Sequence, residues 1–179
     1  SGMPTLTNNG FVIGDLNVLT GLLGDTSSTL NTNWSPSSNA SDDLSFSVYC
    51  TGTPNAGYVI GAADFTGASN IQHDGYSRNN GSTGNSGRVA VSTGNMSGTT
   101  RSTSTGFDWV SGGSSGSFST TAATPTVSNF SVFSRTEDAL DTVKDPTNAR
   151  IATYHAGAAL TLSTLESLQA TLISEIAAI

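Results

Sequence analysis

The run Gln72-His73-Asp74-Gly75-Tyr76, followed by Arg78, gathers an imidazole, a carboxylate, a phenol and a guanidinium within a few residues. Together these groups supply donors, acceptors and an aromatic face, the set that reads the hydroxyls of a sugar. His73, Asp74, Tyr76 and Arg78 are therefore the first candidate ligand-binding residues, the competing reading being an ordinary exposed strand. Trp34 joins them. It lies in the polar loop NWSPSSNASD and is the most plausible exposed ring for stacking on a pyranose, unless it plugs the core instead. Tyr58 and Trp109 are weaker candidates, because Trp109 alternates with Phe107 and so reads as core.

A second cluster is acidic. Asp138, Asp141 and Asp145 fall within one segment and could offer oxygens to Ca2+, which requires six to eight of them. Their spacing fits no EF-hand, and a solvated acidic loop is the competing reading. No other metal or cofactor is indicated. Glycoside hydrolysis needs two carboxyl groups facing one another across a cleft, yet the only glutamates are Glu137, Glu166 and Glu175, and the last two fall in a helical segment. His73 and His155 stand in no recognisable Ser/Asp arrangement, and His155 reads as a packed or edge residue of a strand. The one cysteine, Cys50, lies in the alternating run LSFSVYC and reads as a buried thiol, with no cationic group nearby in sequence to activate it. The sequence thus offers binding chemistry and no catalytic motif.

Composition narrows the partners. Charged residues make up 11% of 179 residues, the net charge is −7, and Lys144 is the single lysine. Phosphate neutralisation needs clustered Lys and Arg, so nucleic acid is excluded as a partner, as is an anionic membrane surface. No apolar run approaches the roughly 18 residues of a membrane span, and no charged-then-apolar leader opens the chain. The Asn-x-Ser sequons, such as those at Asn33 and Asn129, are expected by chance in so Asn- and Ser-rich a chain. Ser1-Gly2 reads as a cleavage remnant, and residues 3–179 as one domain, a length that buries a core without staples.

The elements follow from texture. Short apolar runs cut by Gly, Ser, Thr and Asn predict an all-β sandwich. A leading segment, 5–19, is expected to be pinned by Phe11, Val12 and Ile13. Strands are predicted at 20–23 and 28–32 around a Gly24-Asp25 turn, then at 43–51 and 57–63. A weaker, solvent-facing strand is expected at 69–77 and a turn at 79–86. Further strands fall at 88–92, 107–110, 116–120 and 129–134, then a long loop at 136–148 and a last strand at 149–156. The C-terminal stretch differs from everything before it. Leu162, Leu165, Leu168, Leu172, Ile176 and Ile179 share one helical face, so a single amphipathic helix is predicted at about 162–178, with Ser163 and Glu166 as a capping box. That stripe either docks on the sandwich or packs with symmetry mates in a homo-oligomer.

Two stretches carry a family resemblance. Asn9-Gly10-Phe11, Gly14-Asp15, Thr20 to Asp25 and Leu30 to Asn33 at the start, and Pro146 to Gly157 followed by Leu160-Thr161-Leu162 at the end, resemble laminin-G-like domains of the concanavalin A-like lectin fold found in bacteriophage and environmental bacterial proteins. Ser104 to Phe107 and Phe130 to Arg135 fall where that family has strands. The resemblance implies a two-sheet antiparallel jelly roll, to which the leucine periodicity adds the one C-terminal helix. Calcium is common near the rims of such domains. A fold does not fix an activity. The expected role is a non-catalytic module of a phage or phage-like particle, in a tail fibre, spike or capsid surface. It would sit on the virion surface or outside cells, contact other virion proteins and bind cell-surface glycan. The alternatives are a purely structural virion domain without ligand and a polysaccharide-degrading enzyme.

Overall fold

In a computed structural model, the structure describes residues 5–54, 56–64, 67–73, 76–81, 87–88, 91–138 and 140–178; the side chains of Tyr76, Gly87 and Arg88 are not described. Among the described residues sixteen strands and one α-helix follow in chain order. They are β1 (Thr7–Asn9), β2 (Leu16–Asn17), β3 (Gly21–Leu23), β4 (Thr29–Asn31), β5 (Leu44–Gly52), β6 (Tyr58–Ala63), β7 (Ala68–Gln72), β8 (Tyr76–Gly81) and β9 (Gly87–Arg88), then β10 (Asn95–Thr103), β11 (Gly106–Ser111), β12 (Ser114–Ser119), β13 (Ser131–Val132), β14 (Arg135–Glu137), β15 (Thr142–Lys144), β16 (Arg150–Gly157) and α1 (Leu162–Ala177). Among the described residues they make two sheets. One runs β1-β4-β13-β6-β7-β8-β9, with β14 and β15 alongside; the other runs β12-β11-β10-β5-β16-β3-β2. All pairings are antiparallel except β14 on β6. The all-β sandwich with one C-terminal helix is thus as expected.

The core lies between the sheets because each central strand alternates. Leu44, Phe46, Val48 and Cys50 of β5 face Ile60 and Ala62 of β6, Ile71 of β7 and Val132 of β13, all fully buried. Phe130 links them, its ring 5.1 Å from that of Phe46. Burial of such a side chain is worth about 1.5–3 kcal/mol, and this layer holds the two sheets together.

Several elements differ from expectation. Only Phe11 of the leading segment is buried; Val12 and Ile13 are exposed, Ile13 at 93%. The strand expected at 69–77 is a hairpin, β7 and β8, and β7 is buried at Ala68 through Ile71 rather than facing solvent. The turn expected at 79–86 begins as strand, with Asn79 and Asn80 buried. Of the strand expected at 88–92, Arg88 ends β9, residues 89–90 lie outside the described residues, and 91–92 are not strand. The nine-residue β10 was not expected at all. Its inward side chains are Ser97, Thr99 and Arg101, so it lacks the apolar alternation that marks a strand. The long loop at 136–148 contains the hairpin of β14 and β15.

The helix sits on the outer face of the β5/β10/β16 sheet. Thr161, not Ser163, is its N-cap: Thr161 Oγ1 accepts from the Thr164 amide at 3.2 Å. Leu165 is sealed against Met96 and Val110. Gln169 is also buried; its amide donates to Ser47 Oγ at 3.0 Å and its carbonyl accepts from Thr153 Oγ1. Leu168 and Leu172 stay 37% exposed, so the apolar stripe continues beyond the seat that receives it.

Candidate functional site

The two outer faces of the sandwich differ. On the β6/β7/β8 face, side chains that alternate out of the core meet over small residues. Gly61 of β6 pairs with Asn70 of β7, and Asn70 with Arg78 of β8. A Cβ at Gly61 would come within 2.6 Å of Asn70 Cβ and 3.1 Å of Arg135 Cγ, so the absence of a side chain there lets Asn70 and Arg135 lie across the strand. β14 runs beside β6, and its period of two puts Arg135 and Glu137 on this same face.

The result is a pocket of about 440 Å3 with Ala63 and Ala68 as small apolar wall and Arg78, Arg135, Glu137, Asp138 and Asp64 as charged rim. Arg135 pairs with Glu137. Its guanidinium also lies 4.4 Å above the centre of the Tyr58 ring and donates from Nη1 to Tyr58 Oη at 3.0 Å. Burial draws the Arg135 pKa down, opposed chiefly by Tyr58. Asp64 is fixed by the amides of Gly67 at 3.0 Å and Val127 at 3.1 Å. Asp138 accepts from the Leu140 amide at 2.8 Å, which holds its carboxyl below the usual range. At this pocket two buried donors, Asn70 Nδ2 and Arg135 Nε, have no acceptor among the described residues. Leaving such a donor unsatisfied costs about 1–3 kcal/mol.

The structure disperses the residues singled out from sequence. Arg78 lines the pocket. Asp74 lies outside the described residues, and Tyr76 is placed on β8 without a described side chain. His73 is half-buried beyond the end of β7, its amide donating to the Gly57 carbonyl at 3.0 Å. Trp34 is not an exposed platform: it is half-buried against the core and stacks on Phe130 at 5.8 Å. Trp109 is half-buried too, stacked on Phe118 at 6.0 Å.

Asp138, Asp141 and Asp145 do not converge. Each has a positive φ, of 65°, 53° and 44°. Aspartate tolerates this left-handed region better than most residues. Asp141 clamps neighbouring segments, accepting from the Asn129 amide at 2.7 Å and from Asn31 Nδ2 at 3.1 Å. The carbonyl of Asp145 accepts from the Tyr58 amide at 2.9 Å. Among the described residues no three His, Cys, Asp or Glu side chains stand close enough to hold a metal ion. Asp138 joins Arg78 at the pocket, bringing together one residue expected to touch ligand and one expected to bind metal.

Ser45 and His155 resemble a nucleophile and base, with Oγ and Nε2 3.0 Å apart. Ser45 is fully buried, however, and its Oγ donates to the Ala158 carbonyl at 2.8 Å. With that proton committed, Oγ accepts from His155 Nε2–H, and the imidazole has no lone pair there to act as base. The pair ties β5 to β16.

Sequence reasoning missed Arg135, Glu137, Asp64 and Asn70. The Arg-Thr-Glu spacing held the signal: residues i and i+2 of a strand share a face, but the segment from 136 read as loop. No protein-family model, curated protein or solved structure matches this chain.

Proposed function

We propose that this chain is a non-catalytic glycan-binding module, and that the pocket between β8 and β14 is where it holds its ligand. The observation that carries this reading is the mixed rim. Two guanidiniums and three carboxylates surround a small-residue wall, supplying donors and acceptors for ligand hydroxyls while balancing one another's charge. Such a rim suits a polar ligand of low net charge and disfavours a polyanion. The pocket volume lies within the range of small-ligand sites. The carboxylates are already oriented by Gly67, Val127, Leu140 and Arg135, an arrangement that favours binding through low reorganisation cost.

The setting comes from the laminin-G-like resemblance of the two chain ends. In that setting the module sits on the surface of a phage or phage-like particle, beside other virion proteins, and attaches it to cell-surface glycan without a resident cofactor. The test is a glycan array probed with the protein and with Arg78→Ala. A discrete set of glycans retained by the first and lost by the second supports the reading; no retained glycan, or retention indifferent to Arg78, contradicts it.

A purely structural virion role is favoured by a different observation. Val12, Ile13, Val18 and Leu19 are 59–93% exposed, more apolar surface than one short segment ordinarily leaves in water. Sedimentation at increasing concentration tests it: a monomer throughout counts against self-assembly.

A further inference from the structure

The opposite outer face carries a second recess that the glycan pocket does not use. Thr100 of β10 pairs with Asp108 of β11, and Asp108 pairs with Ser117 of β12. The three side chains share one face, with Ser102 two residues beyond Thr100. The segment between β16 and α1 forms the facing wall, and Asp43 fixes it by accepting from the Ala159 amide at 2.7 Å. Leu160 and Leu162 supply its apolar part. Two adjoining cavities of about 370 and 220 Å3 share Thr100, Ser102 and Asp108.

The chemistry of this groove is specific. Ser117 Oγ donates to Asp108 Oδ1 at 2.6 Å, and this is the only hydrogen bond of that carboxylate among the described residues. Thr100 is 5% exposed, and its Oγ1 is buried without a hydrogen-bond partner among the described residues. Among the described residues no lysine or arginine lines either cavity. An anion would meet the Asp108 carboxylate with nothing to neutralise it. A calcium ion would find one carboxylate where several must converge. What remains is a neutral ligand rich in hydroxyls, which donates to the aspartate, exchanges hydrogen bonds with the serines and lays C–H groups on Leu160 and Leu162.

We infer that the groove between β10/β11 and the start of α1 is a separate binding site for a neutral saccharide, built around Asp108 and Thr100. It does not depend on the pocket at Arg78. Occupied together, the two sites would grip one polymer from both faces of the sandwich, so that the second contact becomes intramolecular.

The test is a 1H–15N titration of the full chain with millimolar methyl glycosides of glucose, galactose, mannose and N-acetylglucosamine. At least one should shift the amides of Thr100, Ser102, Asp108, Ser117 and residues 160–163 saturably. Asp108→Ala should weaken that binding roughly ten- to a hundredfold, the usual worth of a hydrogen bond to a charged group. Thr100→Val should weaken it as well while leaving thermal stability equal or higher, because it deletes a hydroxyl that the free protein leaves unpaired. A merely structural threonine would lower stability instead. Shifts confined to Ala63, Ala68 and Arg78, or no shift with any glycoside, would overturn the inference. Shifts in the groove alone would uphold it and count against the pocket at Arg78.

Discussion

Gln169 of α1 donates its side-chain amide to Ser47 Oγ of β5 at 3.0 Å, joining residues 122 apart in the chain. Because the Gln169 carbonyl also accepts from Thr153, one glutamine binds the helix to two strands. Gln169→Leu would keep the volume but orphan two buried hydroxyls. A loss of about 1–3 kcal/mol is expected in chemical denaturation, with the sheets intact by circular dichroism.

Gly61 sets the floor under Asn70 and Arg135. A Cβ there would stand 2.6 Å from Asn70 Cβ, a distance that forces the side chains or strands apart. Gly61→Ala is expected to destabilise by roughly 1–3 kcal/mol through overpacking and to abolish glycan binding at the Arg78 pocket. A variant as stable as the parent in thermal melts would show that the strands yield easily.

Arg101 is fully buried, donating from Nε to the Asn79 carbonyl at 2.7 Å and from Nη1 to the Thr120 carbonyl at 3.0 Å, with its guanidinium 5.5 Å from the Phe107 ring centre. Arg101→Ala leaves those carbonyls unpaired and a cavity behind. A cost of about 3 kcal/mol or more is expected in denaturant titration.

Acid should weaken the fold in two stages. Burial lowers the pKa of His155 below its ordinary 6.5, so the unfolded chain binds the proton more readily. Stability is therefore complete above 6.5 and declines as pH falls through that value. His155→Gln should remove this first slope. Hydrogen bonds from the Ser27 and Ser28 amides lower Asp25 to about 2 from 3.8. Its contribution, present above 3.8, is lost as pH falls toward 2, and melting temperatures measured from pH 8 to pH 2 would show both stages.

Cys50 is fully buried and its thiol is pushed up to about 12 by desolvation. A thiol reagent at pH 8 should leave the folded protein unmodified and react stoichiometrically in denaturant. Rapid modification of the folded chain would mean that the core opens readily.

How much of this was legible depended on what each strand buries. β5 alternates apolar with polar residues and could be read directly, as could the helix from its leucines. β10 buries Ser97, Thr99 and Arg101, and no apolar period announces it. The three aspartates stayed open between a ligand cluster and a solvated loop because sequence shows their charge and not their left-handed backbone. The pocket combines residues from β8 and β14, far apart in the chain, so only Arg78 and Asp138 were singled out, and for different reasons. Trp34 stayed open between an exposed platform and a core plug because loop composition does not reveal that its ring turns back onto Phe130.

The most direct measurement is a crystal structure of the protein soaked with a glycan that it retains on an array. The account predicts sugar hydroxyls within hydrogen-bonding distance of Arg78 and of at least one of Asp64, Glu137 and Asp138. A glycan bound elsewhere while that pocket holds only solvent would contradict it.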